Sequence, residues 1–337
     1  MPELRQNPVT KEWVIISTER AKRPEEFGSG DVEEKDNNNK NHCPFCQGNE
    51  SETPPEIMAF RTYGTKPDSP GWWIRVIPNK FAALVPQGST ERVKQLDYFN
   101  YMDGLGHHEV IIESPQHNLQ IATMEQKQVE EIFLAYRERY RALSPDPRFE
   151  LITLFKNHGR GAGTSIKHPH SQLIATPMTP AHIRHRMQEA MSFFDDNGKC
   201  VFCVEIEKEK QFKERVLLET DNFIAFEPFA SRSPFETLVF PKKHDASFGN
   251  ITPELSKELG FVMKQTLAKI YKGLNNPDYN FVVRSSPCHE ENVEYFHWHI
   301  MIIPRVAAVA GFELGSGIYI NTVIPEKAAK YLRDIKV

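Results

Sequence analysis

Histidines at alternate positions occur twice in this chain: His168 and His170 with Gln172 in HPHSQL, and His297 and His299 with Met301 in HWHIMI. In a strand, residues i, i+2 and i+4 project from one face, so each stretch would present two imidazoles side by side. Each is preceded, in the same order, by a C-x-x-C pair and a further histidine. Structural zinc takes four nitrogen or sulfur ligands in a tetrahedron, and a C-x-x-C turn supplies two thiolates that histidines from elsewhere complete. The expected sets are Cys43, Cys46, His117 and His168, and Cys200, Cys203, His244 and His297, or two zinc ions per chain. His297 is preferred to His299 because it aligns with His168. The bland alternative treats these cysteines as small buried residues. Their matched order in both halves argues against it, and Cys288, with no partner at that spacing, is expected to be plain core.

If His168 is bound to metal, His170 stays free on the same face. A neutral imidazole attacks phosphorus and gives a covalent intermediate that a second substrate intercepts. Such transfers need donors aimed at the non-bridging oxygens, and the Gln172 amide offers one. Just upstream, HGRGAGTS places Gly159, Gly161, Gly163 and Ser165 where backbone N–H groups could approach an anion. No G-K-[ST] follows, so this is not a Walker loop.

The elements that must hold these residues repeat as well. A β-rich run, HHEVIIESPQH, ends at His117, and an amphipathic helical pattern follows from near Met124. Strand-like LITLFKN, the glycine run and HPHSQL complete the first copy. In the second, FETLVFPKKH ends at His244, a helical pattern TPELSKELGFVMKQTLAKIYKGL follows, and YNFVVRSS leads to HWHIMIIP. The order and the spacing of the histidines point to an internal duplication, with halves at 1–195 and 196–337. The first copy is longer between its C-x-x-C and its first histidine, an excess expected to include GWWIRVIPNKF. Residues 28–42, GSGDVEEKDNNNKNH, read as a polar loop.

With 337 residues, 39% hydrophobic, the chain can bury a sizeable core. Its net charge of −4, from 41 basic and 45 acidic residues, argues against a nucleic-acid partner. No long apolar run suggests a membrane span and no secretory leader is evident, so a cytoplasmic protein is expected.

RAKRP (20–24), CPFCQGNE (43–50), IPNKFAAL (77–84), SPQH (114–117), NHGRGAGTS (157–165) and HPHSQ (168–172) together resemble the galactose-1-phosphate uridylyltransferase family of the histidine-triad superfamily. The resemblance implies an α+β fold of two tandem histidine-triad-like halves, each an antiparallel sheet with a long packed helix. It makes His170 the nucleophile that becomes uridylylated and Gln172 the residue holding the transferred phosphoryl group. Asn79, Asn157, Gly163 and Ser165 would contact the nucleotide, with Arg20 and Arg23 near its phosphates. Nucleotide sugar and sugar phosphate would be the partners, in a homodimer, by ping-pong exchange between UDP-glucose and galactose 1-phosphate. AGFELGSGIYINTVIPE (310–326) departs from the family's polar sugar contacts and is similar to a side branch that includes ADP-glucose phosphorylase. Adenylyl transfer by the same histidine is therefore an alternative. Others are a triad-type nucleotide hydrolase and a non-catalytic zinc-stabilised nucleotide-binding protein.

Overall fold

In the computed structural model of the chain, residues 1–17 and 43–337 are described. The polar loop expected at 28–42, together with Arg20 and Arg23, lies outside them.

The chain opens with β1 (Glu3–Gln6) and β2 (Trp13–Ile16), followed by β3 (Met58–Arg61), β4 (Trp72–Pro78), β5 (Val93–Gln95), β6 (Phe99–Tyr101) and β7 (His107–Ile112). Helix α1 (Gln126–Leu143) leads to β8 (Leu151–His158) and β9 (His170–Thr176). Helices α2 (Ala181–Asn197) and α3 (Val201–Phe212) precede β10 (Val216–Glu219), β11 (Phe223–Phe226) and β12 (Thr237–Pro241). Helix α4 (Pro253–Gly273), β13 (Tyr279–Arg284), β14 (His299–Pro304), α5 (Gly311–Ser316), β15 (Tyr319–Asn321) and α6 (Pro325–Asp334) complete it.

Ten strands form one sheet in the order β10-β11-β12-β14-β13-β8-β9-β7-β4-β3. Read outward from its middle, each side repeats the other: β8 matches β13, β9 matches β14, β7 matches β12 and β4 matches β11. The two half-sheets join through antiparallel pairing of β8 with β13. The duplication expected from the sequence therefore appears as two five-stranded halves fused edge to edge. GWWIRVIPNKF forms β4, which has a counterpart in β11 and is not surplus. Extra material in the first half includes the β5–β6 hairpin, which forms a sheet of its own.

Alternation of side chains assigns the two faces. Ile111, Leu154, Leu173, Phe281, Val283, Ile300 and Ile302 point to one side, where α1 and α4 pack and the main core lies. The first turn of α4 is fixed by Thr252, whose hydroxyl accepts the N–H of Leu255, with Pro253 at the first helical position. On the opposite face lie His170, Gln172, Val110 and Ile112 in the first half, and His299 and Met301 in the second. Helices α2 and α3, not foreseen from sequence, cover this second-half face through Met187, Ala190, Phe202 and Ile206. At the chain start, β2 pairs in parallel with β15, so the first strands join the second half, tied further by Arg5 to Glu326.

Candidate active site

The first C-x-x-C lies in a turn before β3, where the Cys46 N–H donates to the Cys43 carbonyl. His117 comes from the segment after β7 and His168 from the residues just before β9, so the strand begins only at His170. The ligating atoms of Cys43, Cys46, His117 and His168 all lie within 4.8 Å of one another. Their Sγ to Nδ1 separations are 3.7 Å for Cys43–His168, 3.4 Å for Cys46–His117 and 3.6 Å for Cys46–His168. Zn–S bonds of about 2.3 Å and Zn–N bonds of about 2.0–2.1 Å in a tetrahedron separate sulfur from nitrogen by about 3.5 Å. The spacing therefore fits one ion. His168 Nε2 donates to the Ser114 carbonyl at 2.6 Å, which leaves the Nδ1 lone pair available to a metal ion. Burial holds His168 down to about 4, a neutral ring suited to ligation.

Cys200, Cys203, His244 and His297 repeat the arrangement within the same 4.8 Å limit. Here the second C-x-x-C is not a turn: Cys200 caps α3 and Cys203 lies in its first turn. Cys203 Sγ is 3.4 Å from His244 Nδ1 and 3.5 Å from His297 Nδ1. His297, rather than His299, belongs to this group, in the place His168 has in the first.

His170 opens β9 and is 7% exposed. Its Nδ1 donates to the His168 carbonyl at 2.8 Å, so the lone pair sits on Nε2. Burial lowers its pKa, the His168 carbonyl opposes that, and the Lys156 charge lowers it further. A cleft of about 580 Å³ reaches the ring, lined among others by Phe45, Asn79, Phe81, Ser165 and Gln172. That volume suits a nucleotide-sized ligand.

Beneath His170, on the helix side, Lys156 Nζ is 2.6 Å from Glu113 Oε2 and donates to the His170 carbonyl at 3.0 Å. Ladder pairing of β8 with β9 runs only as far as Phe155↔Gln172, and Lys156 takes the His170 carbonyl beyond it. Tyr136 and Ser171 hydroxyls also donate to Glu113.

Of the expected nucleotide contacts, Asn79, Ser165 and Gln172 share the cleft with His170. Asn157 and Gly163 are not among its lining residues. Asn157 Oδ1 accepts from Asn280 Nδ2 at 2.7 Å, and Gly163, at φ 89°, closes the turn after β8. The glycine run is partly occupied from within: the Gly161 N–H donates to the Asp278 carboxylate. Sequence reasoning missed His108, Lys156 and Glu113. A polar residue in phase with Val110 and Ile112 in HHEVII was the available signal for His108.

The second half keeps the backbone device but not the cleft. His299 Nδ1 donates to the His297 carbonyl at 3.1 Å, as His170 does to His168. Its ring is 1% exposed and stacks on Phe240 at 4.6 Å, with Phe202 at 5.4 Å. Met301, in the place of Gln172, lies 3.7 Å from Arg284 Nη2.

Residues 1–180 match the family described as galactose-1-phosphate uridyl transferase, N-terminal domain, and residues 184–336 match its C-terminal domain. The chain is 37% identical to the ADP-glucose phosphorylase of Arabidopsis thaliana, over 100% of this chain and 93% of that one. It is 30% identical to the galactose-1-phosphate uridylyltransferase of Thermotoga maritima, over 100% of this chain and 99% of that one. The crystal structure of an Arabidopsis thaliana ADP-glucose phosphorylase with bound ADP-glucose superposes with a TM-score of 0.83 at 35% identity, covering 100% of both chains. The chain belongs to the galactose-1-phosphate uridylyltransferase family.

Proposed function

We propose that the protein is a nucleotidyltransferase that carries the transferred nucleotidyl group on His170. The observation that carries this reading is the His170 ring itself: its Nδ1 is committed to the His168 carbonyl and the cleft opens on its side of the sheet. In the first step the Nε2 lone pair attacks the α-phosphorus of a nucleotide sugar. A P–N bond forms, the bridging P–O bond breaks, and the sugar 1-phosphate leaves with the bond pair. In the second step an oxygen of the acceptor phosphate attacks the same phosphorus and the P–N bond breaks. The proton on Nδ1 stays bonded to the His168 carbonyl throughout, which lets the ring carry positive charge while phosphorylated.

UDP-glucose is the donor and galactose 1-phosphate the acceptor in the main reading, which gives a UDP-glucose–hexose-1-phosphate uridylyltransferase. The similarity to the Thermotoga enzyme across the whole chain supports it. Adenylyl transfer from ADP-glucose to phosphate is the second reading, favoured by the 37% identity to the Arabidopsis phosphorylase. Gln172 is proposed to hold the transferred phosphoryl group, with Asn79, Asn157, Gly163, Ser165, Arg20 and Arg23 as nucleotide contacts. Zinc in the first Cys2His2 group would fix the segment before β9, and with it the carbonyl that orients His170; zinc in the second would fix the segment before β14 in the same way. We further place the division of the halves at 1–195 and 196–337, and the protein in the cytoplasm as a homodimer.

The test is to incubate the protein with UDP-glucose or ADP-glucose radiolabelled in the α-phosphate. One of the two should leave acid-labile, base-stable label on the native protein, and His170→Asn should carry none. His299→Leu, altered in the second half only, should still label. Label persisting in His170→Asn would refute the assignment.

A further inference from the structure

His108 sits on β7, 9% exposed, on the same face of the sheet as Gln172. Across the β7–β9 ladder Val110 faces Gln172 and His108 faces Ile174, so His108 and Gln172 are diagonal neighbours within side-chain reach. The Ala83 N–H donates to His108 Nδ1 at 3.1 Å. An imidazole whose Nδ1 accepts carries its hydrogen on Nε2. Gln172 Oε1 lies 2.8 Å from that Nε2 and accepts the hydrogen. The opposite orientation of the Gln172 amide would set N–H against N–H.

Asn79 is arranged to the same effect. Its Oδ1 accepts the Phe81 N–H at 2.9 Å, and its Nδ2 lies 3.0 Å from His108 Nε2. With both nitrogens bearing hydrogen, that contact is not a hydrogen bond. Each amide thus has its oxygen engaged on the protein side, at the edge of the cleft that reaches His170.

We propose that His108 is a positioning residue: it holds the oxygen of the Gln172 amide so that the N–H bonds, and not the oxygen, face the anionic phosphoryl oxygens of a nucleotide held at His170. This rests on the nucleotidyl transfer reading above. A freely turning amide would present oxygen to that anion part of the time, and turning it would cost reorganisation at the moment charge develops. His108 removes that freedom without touching the substrate.

The experiment is single-turnover labelling of the full chain by UDP-glucose and ADP-glucose carrying label in the α-phosphate. It compares native protein, His108→Phe, His108→Gln, Gln172→Ala and the double variant His108→Phe/Gln172→Ala. His108→Phe should slow labelling about 10- to 100-fold, less than the outright loss of a transition-state donor. His108→Gln, whose amide can still donate to Gln172 Oε1, should recover most of the rate. In the Gln172→Ala background, adding His108→Phe should change the rate less than about 2-fold, because a residue acting only through Gln172 has nothing left to orient. If His108→Phe does not fold, His108→Asn, too short to reach Gln172, takes its place. An equal loss in both backgrounds, or no loss in either, overturns the proposal while the labelled native protein leaves the transferase reading standing. A native protein that takes up no label from either nucleotide sugar removes both.

Discussion

Replacing Lys156 with methionine should destabilise the protein strongly and reverse its response to acid. Lys156 is 1% exposed and its partner Glu113 is 0% exposed, with 2.6 Å between Nζ and Oε2. Removing one member of a buried ion pair costs about 3–5 kcal/mol, because a charge is left in the interior without compensation. At about 2.1 cal/mol/K per residue, a chain of 337 residues has an unfolding entropy of about 0.7 kcal/mol/K, so the midpoint should fall by about 4–7 °C. The pH dependence gives the sharper signature. Burial would raise the Glu113 carboxyl above its ordinary 4.5, but the Lys156 charge and the hydrogen bonds of Lys156, Ser171 and Tyr136 outweigh it and hold it lower. In the native protein the unfolded chain therefore binds the proton more readily. The stabilisation from this carboxylate is complete above about 4.5 and is lost as pH falls through the depressed folded value. In Lys156→Met burial dominates, the folded state becomes the better proton binder, and stability falls as pH rises above about 4.5. Thermal unfolding from pH 4 to 8, followed by circular dichroism, reads both slopes. Adding Glu113→Gln to Lys156→Met should restore much of the midpoint and flatten the slope. A double variant no more stable than Lys156→Met, or a single variant with the native slope, would refute the argument.

Elemental analysis should find about two zinc equivalents per chain, and Cys46→Ser should reduce this to about one while leaving the second group loaded; a single equivalent in the native protein would break the duplicated-site argument. Gly159→Ala should cost at least about 1–3 kcal/mol in urea unfolding, because Gly159 has φ 82° and ψ 160° and an added Cβ would stand 1.6 Å from Asp278 Oδ1. Trimming Asp278 to alanine in that variant should return part of the loss, and an unchanged midpoint for Gly159→Ala would contradict the strain.

Where residues repeat in type and order, the sequence carried the structure far. LITLFKN and YNFVVRSS became β8 and β13, and the helical pattern opened by Thr252 and Pro253 became α4. The two Cys2His2 clusters were legible because cysteine and histidine at fixed spacing have few other uses. What stayed hidden depends on contacts between elements remote in sequence. Nothing in AHIRHRMQEAMSFFDDN announces that α2 will cover the second half, since only Met187 and Ala190 of that helix are buried. The glycine run looked like an open anion cradle because Asp278, which accepts from Gly161, lies on the far side of a long helix in the chain. Lys156 and Glu113 fall in otherwise strand-like runs, where a charge reads as solvent-facing. Their partnership exists only once β8, β7 and α1 meet.

The fused sheet also explains why a chain with two equivalent imidazole devices would use one. Both copies place a histidine carbonyl behind the histidine two residues on, and both present four thiolate and imidazole donors at zinc spacing. Backbone and metal groups are therefore common to the halves, and what differs is the covering of the exposed sheet face. In the second half α2 and α3 bring Phe202 against that face, Phe240 stacks on the His299 ring, and no amide stands where Gln172 stands in the first. A ring so enclosed has no room for a phosphoryl group, and burial holds it neutral without giving it a substrate. In the first half the corresponding face is covered more lightly: Phe45 meets His170 at a steep angle, 5.4 Å between centroids, and the cleft remains beside it. Duplication supplied the orienting carbonyl twice, and the difference in reactivity proposed for the two halves would follow from which copy α2 and α3 closed.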